Sequence, residues 1–174
     1  MLNPRLYMFL LLPWLLAGCD EAPEPGRSLE PVAIEAGDEC HVCGMIITRF
    51  PGPKGEVFVQ RREAPLKFCS TRDLFVWLRQ PESAAIVEAV YVHDMGQAAW
   101  DSPGLEHLIP AGSAWYVVGS GQRGAMGPTL ASFAERGAAE AFAETHGGRV
   151  LGYEAIDLEV LEGMTRNEAG MQHD

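Results

Sequence analysis

The stretch Leu6 to Leu16 follows Arg5 and is almost wholly apolar, broken by Pro13, and it ends at Leu16-Ala17-Gly18-Cys19. It is shorter than the about 20 apolar residues that a membrane span needs, and it has the length of a signal-peptide core. Small residues immediately before a cysteine form the lipobox of an exported lipoprotein. The reading is that residues 1–18 are removed and that Cys19, acylated on its thiol, becomes the first residue of the mature chain. This constrains everything downstream. The fold must be built from the remainder, in a compartment that permits disulfides, while tied to a membrane by lipid.

Residues 19–36 read as the acylated cysteine and a flexible linker, because Pro23, Pro25, Gly26, Ser28 and Pro31 offer little apolar surface to bury. Residues 37–165 then form the folded domain, and 166–174 a C-terminal tail. The formal net charge of the whole chain is −11. Loss of Arg5 with the leader makes the mature form still more acidic, which argues against binding nucleic acid. Adhesion to an anionic lipid surface by charge is disfavoured for the same reason.

Within the domain the apolar pattern runs twice through the same order. Val57 to Arg61 and Ala64 to Cys69 read as strands, Ser70 or Thr71 caps a helix through Leu74, Phe75, Trp77 and Leu78, and Ala84 to His93 reads as a strand. Ser113 to Gly119 and Met126 to Phe133 again read as strands. Ala134 to His146 is an alanine- and glutamate-rich helix ended by Gly147-Gly148, and Arg149 to Tyr153 is a strand. Phe68 matches Phe133 and Trp77 matches Phe142. The expected fold is therefore α+β, with two similar ββαβ lobes in tandem at roughly 37–100 and 108–160. Ile156 to Met164 is a short terminal helix.

The chemistry concentrates in Cys40-His41-Val42-Cys43-Gly44-Met45. Two thiols separated by two residues can reach one metal ion, Gly44 frees the backbone at the loop exit, and Met45 adds a thioether. Soft sulfur ligands select Cu(I), Zn(II) or iron–sulfur clusters. Haem attachment is excluded, since Gly44 stands where a histidine is required. A Cys40–Cys43 disulfide, a structural zinc site completed by Cys69 with His41 or His93, and a thiol redox pair remain open. The last fits poorly, because such a pair opens a helix after a strand, whereas Gly44-Met45-Ile46-Ile47 looks strand-like.

Methionine content favours copper: Met45, Met95 and Met126 each adjoin a glycine, which suits a thioether presented at a loop edge. Cys69 precedes a helix N-terminus, which favours its thiolate, and is either a third sulfur ligand or a small buried residue. His93 ends a strand, with Asp94 placed to orient its ring. The candidate ligands are thus Cys40, Cys43 and Met126, followed by Met45, Cys69, His93 and Met95, around Cu(I). No Ser-His-Asp arrangement or paired carboxylates suggest an enzyme.

The Leu16-Ala17-Gly18-Cys19 lipobox, Cys40 to Ile47, Phe68-Cys69-Ser70-Thr71, Tyr91 to Gly96 and Gly124-Ala125-Met126-Gly127 together resemble the NosL family of accessory lipoproteins of nitrous oxide reductase. The resemblance implies two ββαβ lobes and a non-enzymatic Cu(I) chaperone on the periplasmic side of a membrane. Its implied role is to supply copper for the centres of nitrous oxide reductase in denitrification, beside a periplasmic partner and its ABC transporter. The histidine- and methionine-rich tail of many members is not seen in Met171-Gln172-His173-Asp174. The rival readings are a thiol–disulfide oxidoreductase and a zinc- or disulfide-stabilised structural lipoprotein.

Overall fold

The computed structural model describes residues 27–104 and 106–171, the side chains of 167–171 excepted. The leader, Cys19, the first part of the linker, the side chain of Met171 and residues 172–174 lie outside the described residues. The first lobe comprises β1 (Gly55–Val59), β2 (Leu66–Phe68), α1 (Thr71–Leu78), a short α2 (Pro81–Ala84), β3 (Val87–His93) and β4 (Leu108–Pro110). The second comprises β5 (Trp115–Val118), a small hairpin of β6 (Arg123–Gly124) and β7 (Gly127–Pro128), β8 (Ala131–Phe133), α3 (Arg136–His146) and β9 (Arg149–Gly152). Helix α4 (Leu158–Met171) follows.

Both lobes are ββαβ units. The first sheet has the order β2-β1-β3-β4 and the second β8-β5-β9, every pair antiparallel. In each, the first strand is central and the helix crosses to the third strand. The register matches as well. Gly55 of β1 faces Phe68, and Trp115 of β5 faces Phe133. Phe68 tilts against Trp77 with centroids 5.7 Å apart, and Phe133 tilts against Phe142 at 5.2 Å. The repeat expected from the aromatic spacing is therefore present in strand order, register and ring contact.

All five residues of β1 are buried because both its faces are covered. Val57 and Val59 pack with Leu74 and Phe75 of α1. Gly55 is required there, since a Cβ would stand 2.7 Å from the Tyr91 carbonyl oxygen and meet Leu74 Cδ1. The opposite face carries Glu56, Lys67 and Tyr91, and residues 27–34 lie across it. Val32 N–H donates to Glu56 Oε1, Tyr91 Oη to Leu29 O and Lys67 Nζ to Ala33 O, while Arg27 pairs with Glu88. That part of the stretch read as a linker is held on the sheet, with Ile34 fully buried. Burial raises the Glu56 carboxyl to about 7.

The lobes share one core. Phe75 of α1 meets Tyr116 of β5 edge-on at 5.1 Å, and Leu130, Ile156, Leu161 and Met164 complete the cluster. Arg79 donates to Ile156 O and Tyr153 O and lies over the rings of Phe75 and Tyr153. At the N-terminus of α1, buried Thr71 donates to Leu130 O at 2.6 Å and contacts the Thr129 hydroxyl at 3.0 Å.

Several boundaries differ from those expected. The strand read from Ala84 begins at Val87, because Pro81 at the first helical position starts α2. The span Met126 to Phe133 is not one strand: Gly127 at φ 95° turns it into a hairpin before β8 begins. The strand-like Gly44 to Ile47 makes one bridge, Glu39 to Ile46, and then a 3₁₀ turn over Ile47–Arg49. Strand β4 was not anticipated and joins the first sheet although it falls in the 108–160 stretch. Helix α4 continues past Met164 into the tail, to Met171.

Thr71→Val would leave the buried Leu130 carbonyl without its donor and is expected to cost about 1–3 kcal/mol. Urea denaturation of the leaderless chain measures this, with the loss appearing as a lower midpoint at unchanged slope.

Candidate metal centre

Three thiols from two separate segments meet at one point. Cys40 and Cys43 belong to a loop closed on itself: Cys40 N–H donates to Met45 O at 2.9 Å and Gly44 N–H to Cys40 O at 2.8 Å. Gly44 makes this possible with φ +70°, a left-handed conformation that other residues rarely adopt. Cys69 comes from the junction of β2 and α1, one residue before Ser70, whose Oγ caps the helix by accepting from Asp73 N–H. The loop is pinned to that junction by His41 N–H donating to Lys67 O at 2.8 Å, and the His41 ring sits edge-on to Phe68 and Trp77.

The three Sγ atoms lie within 4.8 Å of one another, a spacing that can hold a metal ion, and Cys43 and Cys69 are 3.6 Å apart. All three are free thiols in this structure. Cys40 and Cys69 are buried and Cys43 is exposed, which makes a cup with two sulfurs at its base and one at its rim. Ile34 and Ile47 wall it, with Met45 and Ala125 packed alongside.

Hydrogen bonding sets the charge state. Cys40 is held well below the usual thiol range, first by the proton that Cys69 offers it and then by the backbone N–H groups of Cys69, Cys43 and Val42 that face its sulfur, against the opposing effect of burial. Cys69 is pushed up because its proton is shared with Cys40, because it is buried and because the Asp73 carboxylate lies close. Its Sγ is 3.7 Å from Asp73 Oδ2. The expectation that Cys69 carries the thiolate is therefore reversed: Cys40 does. A helix N-terminus favours an anion only where no nearer anion competes, and here Cys40 and Asp73 both do.

Lys54 is buried beside this pair. Burial lowers its ammonium to about 8, while Cys69 and Cys40 act to raise it. Its Nζ donates to Pro51 O at 2.7 Å. Asp73 itself is raised by burial. Neither residue was singled out from sequence. A lysine in the Pro51-Gly52-Pro53-Lys54-Gly55 turn reads as solvated, and Asp73 reads as an ordinary first-turn acid.

The other candidates divide. Met45 packs against the thiols. Met126, half exposed, is on the β6–β7 hairpin next to Ala125, which touches the cluster. His93 is not in the three-residue group: it is fully buried, and its Nδ1 accepts from Lys54 N–H at 3.1 Å. Burial lowers it to about 4. Asp94 does not orient the His93 ring; its Oδ1 accepts from Gly96 N–H and Ala134 N–H. Met95 packs in the second lobe with Val117, Ala131 and Phe133.

The family model for NosL matches residues 31–161. A copper-binding lipoprotein NosL of Stutzerimonas stutzeri is 52% identical over 165 residues, covering 95% of this chain and 86% of the relative. The chain belongs to the NosL family. A second NosL relative, the copper-binding lipoprotein of Achromobacter cycloclastes, is 40% identical over 140 residues, covering 79% of this chain and 72% of that protein. The solved structure of the copper chaperone NosL from Shewanella denitrificans superposes with a TM-score of 0.73 at 48% identity, covering 75% of this chain and 97% of that one. The α+β fold of this NosL chain is thus that of a solved relative.

A thiolate at Cys40 absorbs in the ultraviolet where a thiol does not. The reduced chain is expected to keep one thiolate at about pH 6, well below a free cysteine's pKa of about 8.5. Titration of that absorbance checks it, and Cys40→Ser should remove the signal.

Proposed function

We propose that this chain is a lipid-anchored carrier of copper(I) facing the periplasm, which delivers the ion for assembly of the copper centres of nitrous oxide reductase. The observation that carries the reading is the meeting of Cys40, Cys43 and Cys69 sulfurs within 4.8 Å. Three soft donors suit a soft monovalent ion. The names of the relatives, copper-binding lipoprotein and copper chaperone, support the cargo and the non-enzymatic role.

The geometry divides the work of holding and releasing. Cys40 is already anionic, so it is the first ligand to engage copper. The ion then displaces to solvent the proton that Cys69 shares with Cys40, and Cys43 gives up its own proton to solvent as it closes the set from the rim. The Asp73 carboxylate beside Cys69 disfavours extra negative charge there, and the buried Lys54 ammonium offsets it. Release runs in reverse: a partner's thiol, thioether or imidazole displaces the exposed Cys43 first, and Cys43 and then Cys69 regain their protons from solvent. Met45 and Met126 are the thioethers best placed to hold the ion during exchange. No bond is made or broken in the cargo, so the protein is a carrier and not an enzyme.

Anchoring is assigned to Cys19 after removal of residues 1–18. Among the described residues no helix is long and apolar enough to cross a membrane. The receiving partners are nitrous oxide reductase and its periplasmic and ABC-transporter assembly machinery. That assignment rests on the family membership.

Anaerobic titration of the reduced chain with Cu(I) against a competing chelator, with Zn(II) in parallel, tests the cargo. Tight saturable Cu(I) binding is expected, weakened more than about 100-fold, or roughly 3 kcal/mol, by Cys40→Ser or Cys43→Ser. Wild-type affinity in those variants, or preference for Zn(II), overturns the reading.

A further inference from the structure

The second lobe contains a loop built to the same hydrogen-bond plan as the cysteine loop. His41 N–H donates to Lys67 O, the residue before Phe68; Met95 N–H donates to Ser132 O, the residue before Phe133, also at 2.8 Å. Gly44 N–H donates to Cys40 O at 2.8 Å; Ala98 N–H donates to Asp94 O at 3.1 Å, across the same four-residue span. Phe68 and Phe133 hold equivalent registers in their sheets. The side chain after each loop's first residue packs on that phenylalanine, His41 on Phe68 and Met95 on Phe133.

The correspondence reaches the anion. The Cys40 sulfur faces the backbone N–H groups of Val42, two residues on, and of Cys69, the residue after Phe68, and also that of Cys43, whose counterpart Gln97 N–H donates to Asp94 O instead. Asp94 Oδ1 accepts from Gly96 N–H, two residues on, at 2.9 Å, and from Ala134 N–H, the residue after Phe133, at 3.1 Å. Both first residues are buried. Two donors at matching positions converge on the side chain of Cys40 in one lobe and Asp94 in the other. By position Gln97 then stands for Cys43 and Ala134 for Cys69. The loops part at their exits. Gly44 turns back in the left-handed region so that Met45 O receives Cys40 N–H, whereas Asp94 N–H donates to His107 O.

We propose that residues 94–98 are the second lobe's copy of the metal loop, with the Asp94 carboxylate in the slot of the Cys40 sulfur and its two partner thiols replaced by Gln97 and Ala134. The chain accordingly has one soft-metal site and one latent site of the same design. Carboxylate and thiolate are both anionic acceptors and satisfy the same backbone donors. A carboxylate is a hard ligand that does not select copper(I), so the second loop is closed by hydrogen bonds alone. It also accounts for Asp94-Met95-Gly96 without making Met95 a ligand. The slot in the first lobe is preformed for an anion before any metal arrives.

The inference rests on the metal reading above only for its stoichiometry, and two measurements separate the two. In the full chain, Cys40→Asp with Cys69→Ala reproduces the Asp94 and Ala134 pair in the first lobe. Metal-free, this double variant is expected to melt at least about 4 °C above Cys40→Ala with Cys69→Ala, in proportion to one buried charged hydrogen-bond set. Equal melting temperatures overturn the shared slot, whatever the chain binds. Conversely, Asp94→Cys, Gln97→Cys and Ala134→Cys together are expected to raise anaerobic Cu(I) binding from one ion per chain to two. A triple variant that keeps the wild-type circular dichroism but still binds one ion overturns the latent site. If the wild-type chain binds no Cu(I), the carrier reading fails and the melting comparison alone decides the inference.

Discussion

One backbone hydrogen bond, from His41 N–H to Lys67 O, joins the two segments from which the thiols come. It adds to the contacts of Lys67 with Ala33 and Asp38 and to the burial of Ile34 and Ile47, and it sets the Cys40–Cys43 loop beside Cys69 at the helix start. With it, the loop lies along the edge strand β2 with the His41 ring against Phe68 and Trp77. The sulfur of Cys40 is then aimed at the N–H of Cys69. Everything distinctive about the site follows: the lowered Cys40, the raised Cys69 and the exposed Cys43. The ββαβ unit supplies the rigid part, since Phe68 is fixed in register opposite Gly55 and Ser70 caps α1 immediately afterwards.

The fold was legible in the sequence to the extent that its repeat was. Phe68 with Phe133 and Trp77 with Phe142 are large apolar groups at fixed distance, and their spacing survives because each pair packs ring on ring in its own lobe. The short elements were not legible. Strand β4 spans three residues and ends in a proline, and the β6–β7 hairpin turns on glycines within a stretch that reads as loop followed by one strand. The linker was misleading at 27–36 for a related reason. Pro31 and the acids there suggest a free chain, yet Ile34 is buried, and main-chain groups of residues 29–33 pair with Tyr91, Glu56 and Lys67. Those partners are distant in sequence, and nothing local announces them.

At the site, Cys40, Cys43 and Met45 were visible because their chemistry and spacing coincide on one loop. Cys69 stands below Met126 on sequence grounds, yet its sulfur lies 3.6 Å from that of Cys43. Proximity between residues 26 apart depends on strand pairing, which the spacing of cysteines does not encode. Cys69's charge was misjudged for a physical reason too. A helix N-terminus contributes a modest field, while a neighbouring thiolate and a carboxylate in a buried pocket contribute larger ones. Adjacency to His93 suggests Asp94 as its partner, but β3 ends at His93, and Asp94 opens the following loop, where Gly96 N–H and Ala134 N–H take its carboxylate instead.

The design that emerges sets affinity against release. Two sulfurs are buried where water cannot compete, one is at the rim where a partner can reach it, and an acid and a buried ammonium adjust the charge of the set. X-ray absorption at the copper edge on the Cu(I)-loaded chain tests this most directly. The account predicts a first shell of sulfur alone, three-coordinate, that loses one sulfur in Cys69→Ser. A shell containing nitrogen or oxygen, or one unchanged in Cys69→Ser, would contradict a three-thiol site.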